Sequence, residues 1–106
     1  TSLNILSDQL SGVRQQEESL AAIDEATRIL RALAHANPDA YLPGLATSLN
    51  KLSLQLGMAG QQKEGLAINE EAIGVCHVLA EANPEAFETE LRRSLATAAW
   101  LKSREQ

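Results

Sequence analysis

Apolar residues recur along this chain at the three- and four-residue spacings that put side chains on one face of a helix. Two short series of leucines follow this spacing, one in each half of the chain: Leu3, Leu6, Leu10, Leu49, Leu52 and Leu56. Two longer apolar series come after them: Leu20, Ile23, Ala26, Leu30 and Leu33, then Leu66, Ala72, Ile73, Cys76 and Leu79. The pattern predicts an all-α fold of five helices, near residues 2–12, 16–36, 44–58, 62–82 and 86–104.

Proline and glycine set the predicted helix ends. Pro38 and Pro84 lack the N–H that would continue a preceding helix, and the residue before a proline avoids the α region. Shorter breaks are expected near residues 12–14 and 57–60, where glycines interrupt the apolar pattern. Because Pro43 closely follows Pro38, the segment between them is expected to form a separate short turn.

The chain repeats itself at an interval of 46 residues. The phrase Thr-Ser-Leu-Asn occurs at residues 1–4 and again at 47–50. A fixed period of this size is typical of helical-repeat proteins, in which each unit buries its apolar face against its neighbours. Because the chain starts inside the repeated phrase, it is expected to be a fragment of a longer array. We expect one domain over residues 1–106 with three parts: repeat 1 (1–46), repeat 2 (47–92) and the terminal helix of a partial third repeat (91–104).

The spacing within each unit resembles the tetratricopeptide repeat. That family has a series of large, large, small, large, glycine, acidic, large and small positions. The second copy matches them, in the same order, with Leu49, Leu52, Ser53, Leu56, Gly60, Glu64, Leu66 and Ala72. The first copy supplies Leu3, Leu6, Ser7, Leu10, Glu18, Leu20 and Ala26, but has Arg14 in place of Gly60. The period is 12 residues longer than the usual 34, closer to the extended repeats of kinesin-light-chain-like and large bacterial signalling proteins. The resemblance implies a right-handed superhelical stack of antiparallel helix pairs, with HEAT and armadillo repeats ranked second.

In tetratricopeptide arrays the first helix of each unit lines a concave groove that binds peptides. The resemblance therefore implies that an extended or helical segment of a partner protein binds in a groove lined by Asn4, Asp8, Thr47, Asn50, Leu54, Arg93 and Trp100. Asn4 and Asn50 would hydrogen-bond the backbone of that segment. In chaperone-binding members such asparagines join basic residues that hold a carboxylate, and here Arg93 alone would supply the charge. Two alternatives stay open: the asparagines bond to each other or to an adjacent helix, and Trp100 packs against the second helix of repeat 2.

Composition and charge narrow the class of function. The net charge is −5 and there is no basic run, which disfavours binding to nucleic acids or anionic membranes. The single Cys76 forms no internal disulfide and the N-terminus resembles no signal peptide, so a cytoplasmic location is expected. His35 and His77 have no partners at metal-ligand spacing, and no nucleotide-binding or catalytic motif occurs. We expect a non-enzymatic binding scaffold without cofactor or metal.

Two residues of repeat 2, Asn69 and Cys76, interrupt the apolar series or differ chemically from its other members. Asn69 interrupts the apolar pattern where the first copy has Ile23, and a small helix rotation that turns Ile68 inward is the simpler explanation. Cys76 is expected to be a small core residue and not a reactive thiol.

The alternative function is a structural or oligomerising spacer of a larger protein, because open array ends allow self-association or exchange of helices. An enzyme is the least favoured class.

Overall fold

A computed structural model describes residues 2–104, with the side chains of all of them except 2–11 and 13. Over these residues the chain is all-helical, as predicted, but it forms four helices where five were expected. They are α1 (Ser2–Ala36), α2 (Pro38–Met58), α3 (Gln62–Ala82) and α4 (Pro84–Arg104). Each helix packs against the next one in the chain, and α2 also contacts α4.

The predicted break near residues 12–14 is wrong, because α1 runs through it without interruption. The corresponding break in the second copy is real and depends on Gly60, whose φ of 83° lies in the left-handed region that glycine adopts readily. The residue 46 positions earlier is Arg14, for which that conformation is unfavourable. Without a residue suited to the turn, the first copy continues as one helix.

The separate short turn expected before Pro43 is also wrong, because α2 begins at Pro38 and continues through Pro43. Pro38 occupies the first helical position, where its missing N–H has no intrahelical partner to lose. Pro43 removes only the bond to the carbonyl of Asp39, and Asp39 lies exposed in the first turn of the helix. The cost of the second proline is therefore small, and α2 keeps 21 residues like α3 and α4.

Single asparagines link the helices on either side of each proline. Asn37 connects α1 to α2, and Asn83 connects α3 to α4. The side chain of Asn83 accepts a hydrogen bond from the backbone N–H of Ala86 at 3.3 Å, as an N-cap residue does. These short links confirm the predicted helix ends at the two Asn-Pro pairs, and they hold neighbouring helices side by side.

The core lies where α2 meets the helices on either side of it. Leu45 and Leu49 of α2 pack with Ala34 of α1 and Ala72 of α3 in one buried cluster. A second cluster joins α2 to α3 and α4: Ala46, Cys76 and Leu79, with Phe87 and Leu91 packed against them. The core is therefore continuous along α2, which makes α2 the central helix of the described structure.

Candidate functional site

A pocket lies between α2 and α4, and we call it the α2–α4 pocket. Its volume is about 230 Å³, and its lining residues are Thr47, Asn50, Lys51, Leu54, Glu90, Arg93 and Thr97. The α2 members are spaced at three and four residues, as are those from α4, so each set occupies one face of its helix. The pocket therefore forms where one face of α2 and one face of α4 lie side by side.

Charged groups at the pocket form a small network around Glu90. Arg93 donates from Nη1 to Oε2 of Glu90 at 3.2 Å, and the hydroxyl of Thr47 donates to Oε1 of Glu90 at 3.2 Å. The Arg93 side chain is 65% exposed, whereas that of Glu90 is 17% exposed. Lys51 is exposed and adds a second cation. With one carboxylate against two cations, the pocket carries a formal charge of +1 within a chain whose net charge is −5.

Asn50 forms part of the pocket wall and is nearly buried, at 6% exposure. Its Oδ1 accepts a hydrogen bond from the hydroxyl of Ser94 at 2.6 Å. Its Nδ2 is enclosed and has no hydrogen-bond partner among the described residues. The contact with Ser94 agrees with the alternative in which this asparagine bonds to an adjacent helix, and it leaves one amide donor unused.

The expectation that Ile68 turns inward in place of Asn69 is wrong, because Asn69 itself is buried while Ile68 packs, partly buried, against the core. Its Nδ2 donates to the backbone carbonyl of Ser94 at 3.1 Å, while its Oδ1 has no partner in the part of the chain that the structure describes. The backbone carbonyl of Ser94 therefore accepts a hydrogen bond from Asn69 of α3, and its hydroxyl donates one to Asn50 of α2. A buried polar node around Ser94 thus ties three helices together.

Cys76 adjoins this node and is fully buried, as expected of a core residue. Its Sγ lies 3.4 Å from the hydroxyl oxygen of Ser94. Because the Ser94 proton is directed to Asn50, the thiol can donate to Ser94. Burial raises the pKa of the Cys76 thiol and the charge of Glu90 reinforces this effect, while the hydrogen bond with Ser94 opposes it. The thiol therefore stays protonated, which fits a packing role.

The structure brings four of the seven predicted groove residues together in the α2–α4 pocket: Thr47, Asn50, Leu54 and Arg93. Asn4 and Asp8 lie outside the residues whose side chains are described. Trp100 lies elsewhere, against the backbone of Gly57 on α2, with the guanidinium of Arg104 4.8 Å from the ring centre. It therefore contacts the first helix of repeat 2, whereas the alternative placed it against the second.

Sequence reasoning missed three pocket residues: Lys51, Glu90 and Thr97. Lys51 lies four residues after Thr47, and Thr97 lies four residues after Arg93. Because residues four apart share a helix face, this spacing was a usable signal. It was missed because comparison of the copies pairs Lys51 with Ile5 and Glu90 with Gly44, so neither position repeats.

Other kinds of site receive no support from the described residues. Among the residues whose side chains the structure describes, no group of three or more His, Cys, Asp and Glu is arranged to hold a metal ion. Searching residues 2–104 also reveals no helix with both the length and the apolar character that crossing a membrane requires. Comparison of the chain with protein-family models, with curated proteins and with solved structures finds no match.

Proposed function

We propose that the chain is a tetratricopeptide-like protein-interaction scaffold that binds a segment of a partner protein in the α2–α4 pocket. In this proposal α2 and α4 are the first helices of successive units, and α1 and α3 are second helices in a right-handed superhelical stack. The observation that carries it is the convergence of Thr47, Asn50, Leu54 and Arg93 in one pocket. The remaining support comes from the packing of repeat 2 and from the chemistry of the pocket.

The packing of repeat 2 fits the family pattern. Ser53 and Ala72, at the pattern's small positions, are fully buried. Gly65 sits where α2 and α3 approach closely, because a Cβ built on it would lie 3.1 Å from the carbonyl oxygen of Ser53 and 3.4 Å from the nitrogen of Gly57. Small residues at these positions allow the two helices of a unit to pack closely.

The chemistry of the pocket suits a peptide main chain together with an apolar side chain. Leu54 is 43% exposed and offers an apolar surface, while Lys51 and Arg93 offer donors to carbonyl or carboxylate oxygens. The unpaired Nδ2 of Asn50 is a further donor, and leaving such a group unbonded costs on the order of 1–3 kcal/mol. Because this nitrogen is enclosed, a ligand oxygen reaches it only if the side chain rotates or the cleft widens. Glu90 in turn accepts from a peptide N–H and disfavours a purely anionic ligand.

The test is a selection of peptides from a displayed random library on the full 106-residue chain, followed by titration of a labelled peptide in fluorescence anisotropy. We expect Leu54→Asp to weaken binding by tenfold or more, because burying a carboxylate in the contact is unfavourable. The matched control is Leu95→Asp, since Leu95 is similarly exposed on α4 but lies outside the pocket. Circular dichroism of both variants checks that helical content is kept.

A second pair of variants examines the charged side of the pocket. Arg93→Gln should reduce affinity and weaken its dependence on salt, whereas Arg92→Gln should change neither. The pair is well matched, because each arginine is exposed and contacts a glutamate on α4. Equal affinities of the wild type, Leu54→Asp and Arg93→Gln for the selected peptides would remove the pocket from the binding site. Failure to select any peptide would count against the proposal itself.

A further inference from the structure

One face of α1 is open although it carries apolar residues. Ile29 is 53% exposed and Leu33 is 38% exposed, and Ala22 and Ala26 are exposed on the same face. Beside them, between α1 and α2, lies a groove of about 480 Å³, which Ala22, Ala26, Gly44 and Ser48 help to line. We call this the α1 groove.

Repeat 2 reveals what fills the equivalent space. There Ala72 corresponds to Ala26 and is fully buried, in one cluster with Leu49 of α2. Ser94 corresponds to Ser48, and its hydroxyl donates to Asn50 of α2. The second half of α2 therefore fills, in repeat 2, the space that is open as the α1 groove.

The chain contains a segment that matches this filling helix. Residues 48–58 contain six buried residues: Leu49, Asn50, Leu52, Ser53, Leu56 and Gly57. The residues 46 positions earlier are identical at five of these six places, namely Leu3, Asn4, Leu6, Ser7 and Leu10, and the sixth is the small residue Ser11. Residues 2–12 therefore have the sequence needed to fill the α1 groove.

The segment cannot reach the groove of its own chain in this structure. Because α1 is a single helix from Ser2 to Ala36, its first part points away from its second part. A hairpin like that of repeat 2 needs a residue suited to positive φ where Arg14 stands, and a residue without a side chain where Ser19 replaces Gly65. Both changes disfavour the closed hairpin and favour the straight helix.

We propose that residues 2–12 of a second copy of this chain fill the α1 groove, in a symmetric dimer with exchanged helices. In repeat 2 the backbone of residue 53 passes close to residue 65, so the dimer would place residue 7 of one copy beside residue 19 of the other. Residue 13 is halfway between residues 7 and 19, so the two antiparallel α1 helices of the dimer would cross at residue 13. Each copy then fills the α1 groove of the other. Such an interface closes on itself. No turn fixes the helix spacing in the dimer, which leaves room for the side chain of Ser19.

Light scattering coupled to size-exclusion chromatography, over a concentration series of the full chain, tests the proposal first. We expect a species of twice the 11.4 kDa chain mass that dissociates on dilution. Ala26→Glu places a charge in the α1 groove and should yield the monomer. Ala32→Glu is the control, because Ala32 is an exposed alanine roughly 120° around the same helix from Ala26 and does not line the groove, so its change should leave the dimer intact. A wild type that is monomeric at every concentration, or a dimer indifferent to Ala26→Glu, overturns the proposal.

A second experiment separates exchange of helices from any other dimer. The double change Arg14→Gly and Ser19→Gly restores the turn and the close approach of repeat 2, so the chain should close its own hairpin and become monomeric with its helical content kept. In a Cys76→Ala background, Ser7→Cys protein mixed with Ser19→Cys protein should form a covalent dimer with a short bis-maleimide. Persistence of the dimer in the turn-restored chain, or cross-linking of Ser7→Cys protein alone, contradicts the exchange. These outcomes are independent of peptide binding in the α2–α4 pocket.

Discussion

Replacing Ser94 by alanine is expected to destabilise the fold more than the loss of one hydroxyl suggests. The hydroxyl of Ser94 donates to Oδ1 of Asn50 at 2.6 Å and lies 3.4 Å from Sγ of Cys76. Nδ2 of Asn50 already lacks a partner among the described residues. Ser94→Ala therefore leaves the whole Asn50 amide buried without a hydrogen bond.

The magnitude follows from two opposing effects. A buried polar group that loses its partner costs about 1–3 kcal/mol of unfolding free energy. Alanine is a better helix former than serine by roughly 0.5 kcal/mol, which offsets part of that cost. We expect Ser94→Ala to lower the free energy of unfolding by about 1–2.5 kcal/mol. Ser103→Ala is the exposed comparison on the same helix, where the change removes only the local hydrogen bond of the hydroxyl to the carbonyl of Trp100.

Urea unfolding followed by circular dichroism at 222 nm measures these differences. Adding Asn50→Leu to Ser94→Ala removes the unbonded amide, so the double variant should regain at least ~1 kcal/mol relative to Ser94→Ala. Two results would contradict this role of Ser94: a Ser94→Ala stability within about 0.5 kcal/mol of the wild type, or a further loss of stability when Asn50→Leu is added to Ser94→Ala. Either result would mean that the node around Ser94 does not satisfy Asn50.

Two further predictions concern the turn of repeat 2 and the buried thiol. Gly60→Ala should lower the free energy of unfolding by roughly 1–2 kcal/mol, because Gly60 has a φ of 83°. Gly74→Ala, in mid-helix with open space around it, should raise it by about 0.5–1 kcal/mol. The same urea assay compares the two variants, and equal effects would contradict the role of the turn. Burial raises the pKa of Cys76 in the folded state above its ordinary 9.0. The stability that comes from keeping this thiol protonated is therefore fully present below pH 9 and is lost as the pH rises through the folded pKa. The stability difference between wild type and Cys76→Ala should therefore shrink in alkali, and a constant difference from pH 8 upward would show that the thiol is not buried.

Features set by local chemistry were predictable from the sequence. The helix ends at the two Asn-Pro pairs and the turn at Gly60 follow from proline and glycine geometry, and the all-α class follows from the apolar period. The break at residues 12–14 was predicted because Gly12 interrupts the apolar pattern, as glycines do at residues 57–60. That inference failed because the turn depends on one position, where Arg14 replaces glycine, while the surrounding apolar pattern is the same in both copies.

Features set by tertiary contacts were not predictable in the same way. An asparagine in an apolar series normally indicates an exposed position, so the burial of Asn69 could be understood only from the Ser94 carbonyl, 25 residues away in the chain. Lys51 and Glu90 enter the pocket because α2 and α4 lie side by side. Helical periodicity assigns each residue to a face of its own helix but does not specify which face of another helix meets it.

The node around Ser94 also divides the molecule into parts of unequal cooperativity. Ser94 couples α2, α3 and α4 through fully buried contacts, so these three helices should gain and lose their structure as one unit. Other contacts hold α1 in place: the hydroxyl of Thr27 meets that of Ser48 at 2.6 Å, Ala34 packs with Leu45 and Leu49 of α2, and Arg31 pairs with Glu71 of α3 at 2.8 Å. None of these contacts passes through Ser94, so opening of α1 alone leaves the node intact, whereas opening of α2, α3 or α4 breaks it. In a chain built on two copies of one sequence, the polar coupling through Ser94 thus covers only the second copy, and its boundary lies between α1 and α2.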